Sequence, residues 1–244
     1  MPGDPARVDL IGKFLKNFKI LGQNREFRIG TGMYQGVNVT VCSTGIGCPS
    51  TAIAVEELIA AGAKVLIRVG TCGGAWRKDI SPGSLIIPTS SIRDEGTTME
   101  YVPVGFPAVA DFEVVGSLVQ SVQEQKNTYF VGVNRTHDAF YGSQKAITKW
   151  GAYLLEEQWK NCDTPILSSD METSTVFVIA TLRGVRAGAI LAVNAEPEDL
   201  KSRLYGNKQK VITESSQKIT EQTINQAIRA ALEALIIMAH KRRN

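Results

Sequence analysis

The chain has 244 residues, 43% of them hydrophobic and 21% charged, which supplies a sizeable core and suits one α/β domain. Its net charge is only +3 and its basic residues are scattered, apart from a Lys241-Arg242-Arg243 tail that reads as solvating the end of a helix, so a nucleic-acid surface has no support. Four cysteines without a C-x-x-C pair and two histidines indicate neither a zinc site nor a disulfide framework, and with no signal-peptide h-region and no apolar run long enough to span a bilayer, the expectation is a cytoplasmic protein without membrane contact.

Taken in order, Asp4 and Pro5 are placed to open a helix, and Val8, Ile11, Phe14, Leu15 and Phe18 continue it at helical spacing. Residues 27–31 and 37–42 read as strands joined by a turn at Gly36. The glycine-rich loop 43–51 leads into a helix over about 50–61, whose N-terminus is either an anion site or a plain connection. A strand at 65–69 completes a strand–helix–strand unit, which favours parallel pairing. Beyond it the pattern predicts a strand at 84–87, an irregular loop over 90–104, a helix over 112–123 and a strand at 129–133. A polar loop over 134–144 follows, then helices over 149–161 and 172–182 and a strand at 187–193. The charged, non-periodic segment 194–210 reads as a mobile flap, and a helix over 217–240 closes the chain. No repeat or linker interrupts this order, so residues 1–244 are expected to form a single domain.

The chemically loaded stretch is 65–75, Val-Leu-Ile-Arg-Val-Gly-Thr-Cys-Gly-Gly-Ala. A β-branched run bounded by glycines reads as a strand buried on both faces, yet Arg68 sits inside it. A buried guanidinium needs an anionic partner. The residue types leave two open: an oxyanion such as phosphate, received with the backbone of the glycine-rich turn, or a buried Asp or Glu.

The motifs Gly-Asp-Pro-x-Arg-Val, Asn-Arg-Glu-Phe, Ser-Thr-Gly-Ile-Gly-x-Pro-Ser, Arg-Val-Gly-Thr-Cys-Gly, Phe-Pro-Ala-Val-Ala-Asp-Phe and Asp-Met-Glu occur in that order between Gly3 and Glu172. They resemble the nucleoside phosphorylase I family, its uridine phosphorylases most closely. The resemblance implies an α/β fold with a mixed, partly barrel-like central sheet flanked by helices. It also implies a hexamer, a trimer of dimers, with each site completed across a dimer interface. The implied reaction is reversible phosphorolysis of a nucleoside, uridine favoured, to free base and ribose 1-phosphate, with inorganic phosphate as co-substrate and no cofactor for the chemistry.

Residue by residue, the resemblance implies phosphate ligands at Gly3, Arg7, Arg68 and Thr71, with Arg25 contributed by a neighbouring subunit. It places the ribose at Met171 and Glu172; Glu172 also suits the start of a helix. It places the base at Phe140, Gln144 and Asn194. Core packing is the alternative for Phe140, and a solvent-facing loop position for Gln144. Arg68 and Glu172 are the implied catalytic pair. Glu26, Ile46 and Ser50 match positions that hold potassium in some members, with a solvated Glu26 as the simpler account. Asn194 stands where purine-cleaving relatives carry an acid, and a neutral amide cannot protonate a leaving purine. The sequence departs from the uridine branch at Ala146 and Ala195, where arginines are usual, and at Asp170, where a glutamate is usual. The family's first strand and a ribose-reaching histidine lie upstream of Pro2, and neither His137 nor His240 matches that histidine. A purine or broad-specificity phosphorylase, and a non-catalytic nucleoside-binding relative, are the alternative functions.

Overall fold

A computed structural model describes residues 1–73, 79–140, 166–194 and 214–241. Asp4 and Pro5 open a helix as expected: the Asp4 carboxylate accepts from the Ala6 amide at 2.8 Å, and α1 spans Ala6–Gly12. The expected extension to Phe18 is corrected. After Gly12 come two tight turns, Phe14 N–H to Ile11 O and Leu15 N–H to Gly12 O, each 3.0 Å. Phe18 belongs to a strand, β1, at Lys16–Asn24. The helical spacing misleads because helix and strand feed one core. Val8, Ile11 and Leu15 are buried, and the Phe18 ring lies so close over Gly12 that a Cβ there would be 2.3 Å away. Nothing in the sequence marks β1, because its residues are mostly exposed and do not alternate. It pairs antiparallel with β2 (Phe27–Tyr34), which pairs with β3 (Val37–Cys42) to form a three-stranded sheet.

The second sheet contains β4 (Val65–Cys72), β5 (Leu85–Asp94), β6 (Ala108–Val109), β7 (Tyr129–His137), β8 (Ile166–Asp170) and β9 (Arg186–Val193). Its order is β4-β9-β5-β7-β8, with β6 on β5. β4 and β9 are parallel, β9 and β5 antiparallel, and β5, β7 and β8 parallel, so the sheet is mixed. An antiparallel bridge between Gly73 and Ser169, with Gly73 N–H to Ser169 O at 2.9 Å, ties β4 to β8 and partly closes the sheet. The expected mixed α/β fold, with its partly barrel-like sheet between helices, is borne out.

Local expectations fare unevenly. The helix between β3 and β4 is α2 (Cys48–Ala60), but these strands do not pair, and the parallel partner of β4 is β9. The N-terminus lies beside β4 instead. The Met1 amine donates to Ile67 O at 2.7 Å, Val69 N–H donates to Met1 O at 3.0 Å, and the carbonyls of Pro2 and Gly3 accept from Thr44 and Gly45. The loop expected at 90–104 carries the end of β5 and a short helix, α3 (Thr97–Tyr101); β7 likewise runs on to His137. In both strands the polar second half is paired, Asp94 opposite His137, so hydropathy alone ends them too early. β8 was not foreseen.

The remaining helices are α4 (Phe112–Glu124), capped by the Asp111 carboxylate accepting from Val114 N–H at 3.0 Å, α5 (Thr173–Leu182) and α6 (Glu214–Lys241). β9 is buried on both faces and separates two cores. Ile190 and Ala192 join residues of α1, α4 and α6, while Ala189, Leu191 and Val193 join residues of α2 and α5. No helix among the described residues is long and apolar enough to cross a membrane.

Candidate active site

The site forms where the C-terminal ends of β4 and β8 meet. Arg68 is 3% exposed. Its Nε donates to Asp170 Oδ2 at 2.9 Å and its Nη2 to Glu172 Oε2 at 2.5 Å. The buried ion pair, one of the two partners left open by the sequence, is therefore present, with two carboxylates rather than one. Nη1, also buried, has no hydrogen-bond partner among the described residues. Burial alone would lower the guanidinium's pKa, but Glu172 and Asp170 outweigh it and the net shift is upward. A single cation facing two carboxylates leaves a local excess of negative charge, and Arg7 stands ready to offset it. Arg7 projects from α1, half-buried, within electrostatic reach of both Arg68 and Glu172, and forms no ion pair among the described residues. Burial lowers its pKa, with Asp4 and Glu172 pulling the other way.

Asp170, Met171 and Glu172 connect β8 to α5. Asp170 accepts from Arg68, from Asn134 Nδ2 (2.8 Å), Thr136 Oγ1 (2.9 Å) and Thr173 Oγ1 (2.6 Å), and from Thr173 N–H (3.1 Å) at the start of α5. Glu172 starts α5 as the sequence allowed, but its carboxylate faces inward: Oε1 accepts from Gly47 N–H at 2.7 Å. The α2 N-terminus, read as a potential anion site, is thus filled by the chain's own carboxylate. Gly47 has φ 95° and ψ 165°, a conformation essentially restricted to glycine. The next residue, Cys48, donates its thiol to Met171 O at 3.2 Å. Burial raises the Glu172 pKa, and Arg68 acts against that rise.

The other expected positions divide. Thr71 is half-buried near the end of β4, opposite Ala192 on β9, and Gly3 lies against the loop after β3, its carbonyl accepting from Gly45 N–H at 3.0 Å. Arg25 stands exposed in the β1–β2 turn, with no ion pair among the described residues. Phe140 is 56% exposed, so it is not a core residue. Asn194, at the end of β9, donates its backbone N–H to Cys72 O at 3.3 Å and is exposed. Glu26, Ile46 and Ser50 come together. Ser50 Oγ donates to Ile46 O at 3.1 Å, and a Cβ on Gly45 would lie 2.5 Å from Glu26 Cγ and 3.2 Å from Ser50 Oγ. Gln144, Ala146, Ala195, the helix expected at 149–161 and the flap beyond Asn194 lie outside the described residues.

A family model described as the phosphorylase superfamily matches residues 1–235. The chain belongs to this superfamily. It is 39% identical to a guanosine phosphorylase of Halorubrum lacusprofundi over 195 residues, which is 80% of this chain and 76% of that one. It is 43% identical to a uridine phosphorylase of Treponema pallidum over 196 residues, 79% of this chain and 75% of the relative. The fold matches a crystal structure of uridine phosphorylase from Vibrio fischeri ES114 with a TM-score of 0.81 at 34% identity, covering 96% of this chain and 90% of that one.

Within this phosphorylase fold, sequence reasoning passed over the polar floor beneath Arg68. Asn134 and Thr136 on β7 stand opposite Ser168 and Asp170 on β8, and Ser168 Oγ donates to Asn134 Oδ1 at 2.8 Å. The signal was there: polar residues at i and i+2 near the ends of two neighbouring strands lie on one face. It was hidden because residues 134–137 read as loop and β8 was not recognised.

Proposed function

We propose that this protein catalyses reversible phosphorolysis of a nucleoside, uridine favoured, giving free base and ribose 1-phosphate. The observation that carries the reading is the unpartnered, buried Nη1 of Arg68 beside Arg7 and Glu172. In this reading phosphate is held by Arg7, Arg68 and Thr71, by the chain at Gly3, and by Arg25 of the partner subunit. Its oxygen attacks C1′ opposite the base. The glycosidic bond breaks, its electron pair leaves with the base, and the phosphate anion stabilises the oxocarbenium-like sugar. Glu172, with Met171, orients the ribose by accepting from its hydroxyls. Phe140 offers the base an exposed aromatic face, and Gln144 and Asn194 read its edge.

Around this chemistry we place a homo-oligomer with sites shared between subunits, a hexamer in its full form, acting in the cytoplasm in nucleoside salvage. The chain acts as one domain, and Glu26, Ile46 and Ser50 are the residues we assign to a potassium ion. The guanosine phosphorylase relative favours a second reading, purine or broad specificity, against which the amide at Asn194 counts. Base release from uridine and inosine competing in one reaction, with and without phosphate, tests the reaction and its base preference. Phosphate-dependent cleavage with uridine preferred is expected. Faster inosine cleavage assigns the purine reading, and no phosphate-dependent cleavage overturns phosphorolysis in favour of a binding protein.

A further inference from the structure

Arg68 does not stand straight out from β4. Its guanidinium lies along its own strand, over the residue two positions on. That residue is Gly70, and a Cβ there would sit 2.6 Å from Arg68 Nη2, 2.8 Å from Cζ and 2.9 Å from Leu191 Cδ2. Residues i and i+2 of a strand share a face, so any side chain at 70 would occupy the volume in which the arginine head rests. The backbone gives no separate reason for glycine here, since Gly70 is not among the positive-φ glycines. Nor can the head move aside freely. Nε is tied to Asp170 and Nη2 to Glu172, and all of these groups are buried.

We infer that Gly70 is a positioning residue for the proposed reaction. By leaving the strand face bare, it lets Arg68 lie flat, commit Nε and Nη2 to Asp170 and Glu172, and keep Nη1 for the phosphate. An added methyl group lifts the guanidinium, and with it the geometry of the anion site; the clash also falls on Nη2, the donor to Glu172, but the Gly47 N–H still anchors that carboxylate for its approach to ribose. This role rests on the phosphorylase reading above. It predicts a one-sided defect in Gly70→Ala: phosphate weakens and nucleoside binding is largely kept.

The test measures the dissociation constant for inorganic phosphate by calorimetry, together with KM for phosphate and for uridine, on the full chain. Gly70→Ala should weaken phosphate about tenfold or more, the scale of losing a charged hydrogen bond, and raise KM for uridine less than about threefold. Arg68→Lys keeps a charge between the carboxylates but removes the planar head that the added Cβ would strike. In that background Gly70→Ala should change phosphate affinity less than about twofold. Equal losses in both backgrounds overturn the role. Should Gly70→Ala fold poorly, Gly70→Ala/Leu191→Val relieves the crowding at Leu191. The phosphate defect must persist there, and its disappearance would make Leu191, not Arg68, the residue that matters. Normal wild-type turnover with an unimpaired Gly70→Ala variant overturns this role alone. A wild-type protein that neither binds phosphate nor cleaves nucleoside overturns the phosphorylase reading and this role with it.

Discussion

Arg68 carries two duties that substitution would separate only poorly. It is the cation between Asp170 and Glu172 and, in the proposed reaction, the donor to phosphate. Removing one member of a buried charge group leaves the others uncompensated, a loss of about 3–5 kcal/mol. Arg68→Ala is therefore expected to lower stability by that order in urea unfolding as well as to abolish phosphorolysis. Loss of activity with unchanged unfolding would show that the carboxylates do not depend on Arg68. From residue types alone, anion site and ion pair were competing explanations. They are compatible because a guanidinium offers three nitrogens, and here two are committed and one is left. No sequence pattern counts nitrogens.

Among the elements, those with strong periodicity were legible. α2, α4 and α6 lie within a few residues of expectation because burial on one face writes itself into spacing, and α5 and the apolar halves of β4 and β9, buried on all sides, because a continuous apolar run marks them as well. Strand ends that pair through polar residues were not, and the site is built from such ends. β7 illustrates the consequence. Its last residue, His137, is buried, and burial followed by Arg135 holds its imidazole below the usual range, against the opposing pull of Asp170, the Ala139 backbone and Asp94. Below about pH 6.5 the unfolded chain takes up a proton that the folded chain refuses, so stability present above that pH is lost as pH falls through the lowered folded value. His137→Asn should flatten the decline of Tm below about pH 6.5. Parallel Tm profiles for the two proteins would assign the acid sensitivity elsewhere.

At the scale of the whole molecule, the resemblance implies that one of the phosphate ligands, Arg25, comes from a second subunit. Arg7 lies within electrostatic reach of Arg68 and Glu172, whereas Arg25 stands exposed in the β1–β2 turn. An arginine held at a hairpin tip suits a site completed by a second copy. Mixing Arg25→Ala subunits with Glu172→Ala subunits, each inactive alone, should restore activity at hybrid sites. Demonstrated subunit exchange without recovery would rule out sharing. The expectation of a shared site comes through the resemblance alone, because periodicity reports which face is buried and not what buries it.

The Gly73–Ser169 bridge has a consequence for how the enzyme is kept whole. β4 and β8 come from opposite ends of the sheet order, and where they meet, the backbone contributes one short bridge among the described residues. The bonds from Arg68 on β4 to Asp170 and Glu172, at and just beyond the end of β8, cross the same gap. The side chains proposed to meet phosphate and ribose, Arg68 and Glu172, thus also belong to the clasp of the barrel. In the proposed reaction, opening of this seam is expected to remove catalysis and closure together.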